Sequence, residues 1–399
     1  MLNSIRNAEL QGKIVLCRLD LNVPIHNGVV LDDTKIIRSL DTIRFLAKNH
    51  AKIIVLSHLG RPKGVDKEFS LAPLIPILRK HLDLRIEFSD EVISDKSQNK
   101  VNELRNDGID LLVLENIRFE DGETENDPQL ARNLAKYADV FVFDAFGTAH
   151  RAHASTVGVC RYLPAYAGFL VENEYDKIIT TLKSSYKTKL AIIGGSKIST
   201  KIGLVENFLE SVDCIVIGGA MVFTFMKVQG IEVGKSLVED DMLQTAKDLM
   251  VKAKNLGVEL LFPYDFLIGY SKDKPWLEND IPKVVDSASI PSHAMGLDIG
   301  LRTIQLFKDQ IQKSQTIIWN GPLGVFENEL YRRGTEQIGR SVISRAVSTI
   351  VGGGDTVYAI KFLHDSLPPN IHISTGGGAT LAMLSGHELP AISTLVDNY

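Results

Sequence analysis

The chain has 399 residues, 44% apolar and 23% charged, with a formal net charge of −5. That length exceeds what one hydrophobic core usually serves, so two domains are expected, and the charge balance argues against a globally basic nucleic-acid binder. No apolar run reaches the roughly 18 residues of a membrane span, and Cys17, Cys160 and Cys214 lie too far apart in sequence to suggest a C-x-x-C metal site or a disulfide frame.

In chain order, "KIVLCRLDL", "AKIIVLSHL", "GIDLLVLEN" and "ADVFVFDAF" read as strands, with helical spacing over 35–49, 71–81, 97–106 and 127–137. Next, Val171, Tyr175, Ile178, Ile179 and Leu182 recur at helical spacing with neither Gly nor Pro between them. A helix over 171–187 joining two lobes is expected, rather than a flexible linker. Beyond it "KLAIIGG", "DCIVIGG", "VELLFPYD", "QTIIWNG", "STIVGGG" and "NIHISTGGG" repeat the scheme. Apolar runs without alternation suit parallel strands buried on both faces. The expected fold is α/β, with two doubly wound parallel-sheet (Rossmann-like) domains at 1–170 and 188–386.

The strand ends of the first half carry cations. "RLDLNVP" brings Asp20 and Asn22, "SHLGRP" brings His58 and Arg61, and "LENIRFEDGE" brings Arg118. "DAFGTAHRAHAS" adds His150, Arg151 and His153. Two histidines three apart can share a metal, but Arg151 between them opposes a cation. Arginine's planar fork suits carboxylate and phosphate, so a small-anion site is expected.

The strand ends of the second half carry glycines instead: "GGSK" (194–197), "GGAM" (218–221), "GGGDT" (352–356) and "STGGGAT" (374–380). Without Cβ the backbone approaches a ligand closely, and free N–H groups at a following helix favour phosphate. Four such turns in one lobe point to a nucleotide. Asp355 can hold Mg²⁺, and Lys197 and Lys201, four apart, are expected on one helical face toward the phosphates. No G-x-G-x-x-G occurs, which disfavours a nicotinamide-dependent oxidoreductase, and "GIEVGKS" (230–236) is one residue short of a Walker A loop.

Taken together, "RLDLNVP", "SHLGRPKG", "LENIRF", "DAFGTAHRAHAST", "GGSKISTKIG", "VGKSLVE", "MGLDIG", "WNGPLGVFE", "VGGGDT" and "STGGGAT" resemble the phosphoglycerate kinase family in order along the chain. The resemblance implies reversible phosphoryl transfer from 1,3-bisphosphoglycerate to ADP, giving 3-phosphoglycerate and ATP. It implies a 3-phosphoglycerate site of Asp20, Asn22, His58, Arg61, Arg118 and Arg151, with His153 in the same basic patch. For the nucleotide it implies Gly194, Gly218, Lys201, Asn320, Glu327, Gly353, Gly354, Asp355 (with Mg²⁺) and Thr356. Lys197 and the backbone of Gly376, Gly377 and Gly378 would stabilise the phosphoryl group in flight. Residues 387–399 are expected to return to the first domain, and a cytoplasmic monomer acting on small molecules, without nucleic acid or membrane, is implied.

One departure stands out. The family usually has a catalytic arginine where this chain has Lys35; lysine keeps the charge and loses the fork. Arg38, three residues on, is the other candidate for that role. The alternative function is a weakened homologue kept as a binding or scaffold protein.

Overall fold

An unbroken apolar run belongs in a strand covered on both faces, and Ile14–Leu19 is buried at every position, Arg18 included. The computed structural model describes residues 2–183, 188–270, 281–363 and 367–396, with Lys361 described in its backbone only. The chain divides into two compact units, Met1–Asp176 with Glu388–Tyr399, and Lys177–His387.

The strands of the first unit are β1 Ile14–Leu19, β2 Ile25–His26, β3 Val29–Val30, β4 Lys52–Leu56, β5 Ile86–Ser89, β6 Leu111–Leu114, β7 Val140–Asp144 and β8 Ala165–Ala167. All but the β2–β3 hairpin form one parallel sheet in the order β5-β6-β4-β1-β7-β8. From β1 the chain winds one way through β4 and the other way through β7, so the sheet is doubly wound about the β1/β7 boundary. Helices Thr34–Lys48, Asp95–Arg105 and Pro128–Ala135 match the helical spacing within a few residues; over 71–81 two prolines leave a 3₁₀ turn, Ala72–Leu74, before helix Ile75–His81.

The second unit has β9 Lys189–Ile193, β10 Cys214–Ile217, β11 Glu259–Leu261, β12 Asp265–Gly269, β13 Lys283–Asp286, β14 Met295–Ile299, β15 Thr316–Asn320, β16 Ser348–Gly352 and β17 Ile371–Ile373. Its parallel sheet runs β11-β10-β9-β15-β16-β17 and reverses direction of winding at β9/β15. The core between sheet and helices holds Ile192, Val216, Phe307, Ile317, Trp319, Val342 and Val351.

A third sheet, β13-β12-β14, is antiparallel and was not apparent in the apolar pattern. "VELLFPYD" reads as one strand but splits around Pro263, which has no N–H for a ladder, and its second part joins this sheet. β13 is largely exposed, so it lacks the apolar run that marks the parallel strands.

The helix expected over 171–187 is Phe169–Leu182, containing the boundary between units; residues 184–187 lie outside the described residues. Of segment 387–399, Leu395 accepts from Asn3 N–H at 2.7 Å and Ala391 N–H donates to the Ala149 carbonyl at 3.1 Å. Residues 397–399 are outside the described residues.

Candidate active site

The cationic side chains of the first unit lie at the carboxyl ends of its strands, where a doubly wound sheet receives ligands. Asp20 and Asn22 follow β1, His58 and Arg61 follow β4, Arg118 sits in the 3₁₀ turn Ile117–Phe119 after β6, and Arg151 and His153 follow β7. A cavity of about 500 Å³ is lined by the cationic Arg61, Lys63, Arg118 and Arg151 with His153, and by the acidic Glu120, Asp121, Glu123 and Glu125. Asp20, Asn22, Lys35, Arg38 and His58 are not among its lining residues.

Local hydrogen bonds shape this basic wall. Asn22 Oδ1 accepts from Gly60 N–H at 2.9 Å, and Arg118 Nη1 donates to the Gly60 carbonyl, so the turn that presents Arg61 is held from two sides. Burial pushes the Arg118 guanidinium down to about 10, with Arg151 and Arg18 adding to the effect. Arg151 is lowered by burial and by Arg61. These cations raise one another's cost, the condition that a bound dianion relieves. Lys35 Nζ meets Asp20 Oδ2 at 2.9 Å, while Arg38 is half-buried three residues on in the same helix.

The two histidines of "HRAH" take different partners. Arg151 Nε donates to His150 Nε2 at 3.2 Å, and His153 Nδ1 lies 3.5 Å from Glu123 Oε1. Among the described residues no three His, Cys, Asp or Glu side chains are grouped to hold a metal. Three contributors escaped the sequence reading: Arg18, Glu123 and Ser155, all buried. The signal for Arg18 was a charge inside an apolar strand.

In the second unit a cavity of about 480 Å³ opens at the carboxyl ends of β9 and β15. Phe223, Phe266, Met295, Leu297, Leu323 and Val325 give it an apolar part; Gly195, Ser196, Glu327 and Asp355 give it a polar one. That combination suits a base and its phosphates. Gly194 and Gly218 are not lining residues. A Cβ at Gly194 would overlap the carbonyl oxygens of Gly321 and Pro322, and one at Gly218 would overlap Leu323. Their bareness lets two loops pack, and their successors Gly195 and Gly219 face the cavity.

Lys197 and Lys201 do not share a helical face as expected: the helix begins only at Ile202, with Lys201 as its N-cap residue. Lys197 is exposed, whereas Lys201 is partly buried and donates to Asn320 Oδ1. Burial lowers the Lys201 ammonium, and Asp355 opposes that shift. Gly353 precedes helix Gly354–Leu363, whose first turn carries Asp355 and Thr356; Thr356 Oγ1 accepts from Gly321 N–H at 2.6 Å. Gly376 N–H donates to Ser374 Oγ at 3.1 Å, and Gly377, at φ +50°, starts helix Gly378–Leu384.

Asp298 was also missed. It is buried in the cavity wall, accepting from Ile299 N–H at 2.9 Å and Gly334 N–H at 2.7 Å, and burial pushes its carboxyl up to about 7.

Comparison with known proteins identifies the family. A family model described as "Phosphoglycerate kinase" matches residues 5–387. "Phosphoglycerate kinase 3, cytosolic" of Arabidopsis thaliana is 45% identical over 98% of this chain and 97% of its own length. The phosphoglycerate kinase of Thermosynechococcus vestitus is 46% identical over 98% and 97%. The solved phosphoglycerate kinase of Coxiella burnetii superposes with a TM-score of 0.88 at 37% identity, covering 99% of both chains. The chain belongs to the phosphoglycerate kinase family.

Proposed function

We propose that the protein transfers a phosphoryl group reversibly between 1,3-bisphosphoglycerate and ADP, yielding 3-phosphoglycerate and ATP in glycolysis. The observation that carries this reading is the pairing, in one chain of this family, of an arginine-walled anion cavity with a glycine-lined, partly apolar cavity ending in Asp355.

Arg61, Arg118 and Arg151 bind the phosphate of 3-phosphoglycerate, and Asp20, Asn22, His58 and His153 orient it. Glu327 lies at the ribose, and Lys201, Asn320, Thr356 and the turn Gly353–Gly354 hold the phosphate chain. Asp355 is an exposed carboxylate on the cavity wall, which suits a hard cation that prefers oxygen, and it would hold Mg²⁺ arriving with the nucleotide. Mg²⁺, when bound, draws charge from the phosphate oxygens.

In the ATP-consuming direction a carboxylate oxygen of 3-phosphoglycerate attacks the γ-phosphorus while the bond to the β,γ-bridging oxygen breaks and ADP departs. The nucleophile is already ionised at neutral pH, so no general base is required. Catalysis then comes from in-line positioning, from the cations Lys197 and Lys35 at the moving group, and from the backbone N–H groups of Gly377 and Gly378, that of Gly376 being taken by Ser374 Oγ.

The reading includes a cytoplasmic monomer without nucleic-acid or membrane partners. The net charge of −5 disfavours a globally basic nucleic-acid binder. No observation favours the scaffold alternative. A coupled assay with 3-phosphoglycerate, ATP and Mg²⁺ tests the proposal: ADP formation requiring both substrates is expected, and a folded protein that forms none overturns it.

A further inference from the structure

Arg18 is the one charged residue of β1, and its guanidinium is buried, only 1% exposed. It donates from Nε to Ser155 Oγ at 3.0 Å and from Nη1 to the Leu19 carbonyl at 2.6 Å. Its Nη2 lies 3.1 Å from His58 Nδ1. A guanidinium has donors and no acceptor, so in this contact His58 Nδ1 must offer its lone pair. The ring proton then resides on Nε2.

The other end of the chain of bonds has an equally definite direction. Ser155 Oγ lies 2.7 Å from Glu123 Oε1, and Ser155 N–H donates to Oε2 at 2.9 Å. A carboxylate only accepts, so the hydroxyl proton goes to Glu123 and the Ser155 lone pair faces Arg18. Glu123 is itself buried, 1% exposed. A donor-only group and an acceptor-only group thus set the polarity of the whole run from Glu123 to His58.

We propose that Arg18, held through Ser155 by Glu123, is a positioning residue that locks His58 as the neutral Nε2–H tautomer, a fixed hydrogen-bond donor toward an oxygen of the anionic ligand. The nature of that ligand rests on the proposed function; the lock does not. The opposite tautomer would set an N–H against the Arg18 N–H groups and turn a lone pair toward an anion, unfavourable at both edges. An imidazolium would add charge beside Arg18 of β1, Lys35 of helix Thr34–Lys48, Arg118 after β6 and Arg151 after β7. Burial and these four cations hold His58 well below its ordinary value.

The direct test is the imidazole ¹⁵N spectrum of His58 in the ligand-free protein, assigned by His58→Gln. A pyridine-like Nδ1 and a protonated Nε2, unchanged from pH 8 to 6, are expected. A protonated Nδ1, or titration near pH 6.5, overturns the lock whether or not the protein binds 3-phosphoglycerate. Conversely, the expected spectrum with no 3-phosphoglycerate binding leaves the lock standing and counts against the proposed function alone.

Arg18→Met gives the functional readout, with Glu123→Gln as the milder variant if Arg18→Met does not fold. The dissociation constant for 3-phosphoglycerate should rise about tenfold at pH 8, the order of one charge-assisted hydrogen bond. The variant-to-parent ratio should shrink toward pH 6, as the released imidazole takes up a proton and regains attraction for the anion. A ratio independent of pH would reduce Arg18 to a packing role and overturn the proposal.

Discussion

Lys35 Nζ lies 2.9 Å from Asp20 Oδ2, and that carboxylate is buried just beyond β1 while the lysine remains partly exposed. The pair ties helix Thr34–Lys48 to the strand end that carries Asp20. Under the proposed function Lys35 is the cation at the moving phosphoryl group, and this ion pair is what holds it.

Lys35→Ala should therefore act twice. Turnover is expected to fall about 100-fold through lost charge at the moving phosphoryl group, and unfolding free energy by about 1–3 kcal/mol because Asp20 is left buried without its partner. Arg38→Ala should cost turnover less. Steady-state rates and urea titrations of both variants check this; unchanged turnover in Lys35→Ala with a large loss in Arg38→Ala would move the role to Arg38.

Arg151 lines the first cavity and is lowered by burial and by Arg61. Arg151→Ala should weaken 3-phosphoglycerate binding about 10–100-fold, the range for one charge-assisted contact, while ADP binding stays within about twofold. Calorimetric titration with each ligand separately measures both. Tight zinc binding at His150 and His153 would contradict the anion reading of this stretch.

Asp298 carries a pH signature. Its folded carboxyl, pushed up to about 7 by burial, holds its proton more tightly than the unfolded chain, whose ordinary value is 3.8. Charging it costs stability progressively as pH rises from about 4 to 7. Asp298→Asn sets its NH2 against one of the two backbone N–H donors at a cost independent of pH, but bears no such charge, so its stability relative to the parent protein should rise with pH between pH 5 and pH 8. Thermal melts of both proteins across that range report the difference, and a constant offset would contradict the assignment.

Asp355→Asn removes the carboxylate at the cavity edge without removing the helix start. The Mg²⁺ concentration for half-maximal rate should rise about tenfold, with 3-phosphoglycerate affinity unaltered. A Mg²⁺ titration at saturating ATP is the measurement; an unchanged midpoint would place the cation elsewhere.

Much of this organisation could be read from one sequence. Strands buried on both faces leave long apolar runs, and their ends are marked by Gly-Gly or by cations, so both strand-end clusters were legible. The antiparallel sheet was not, because β13 is largely exposed and lacks that run. Helical phase also misled at Lys197 and Lys201: their spacing suits a helix that in fact starts at Ile202.

Composition and periodicity by themselves determined the α/β class, the doubling of the sheet and the end of each sheet where the cation and glycine clusters gather, since those follow from local burial and chain direction. Tertiary structure alone decided which glycines face a ligand: Gly194 lies against the carbonyls of Gly321 and Pro322, in a distant segment of the chain, and Gly195 lines the cavity. It alone also decided the proton position on His58. That depends on Arg18, 40 residues away in sequence, and through it on Ser155 and Glu123. Hydrogen-bond polarity is set by partners that meet only after folding, so no spacing along the chain could carry it.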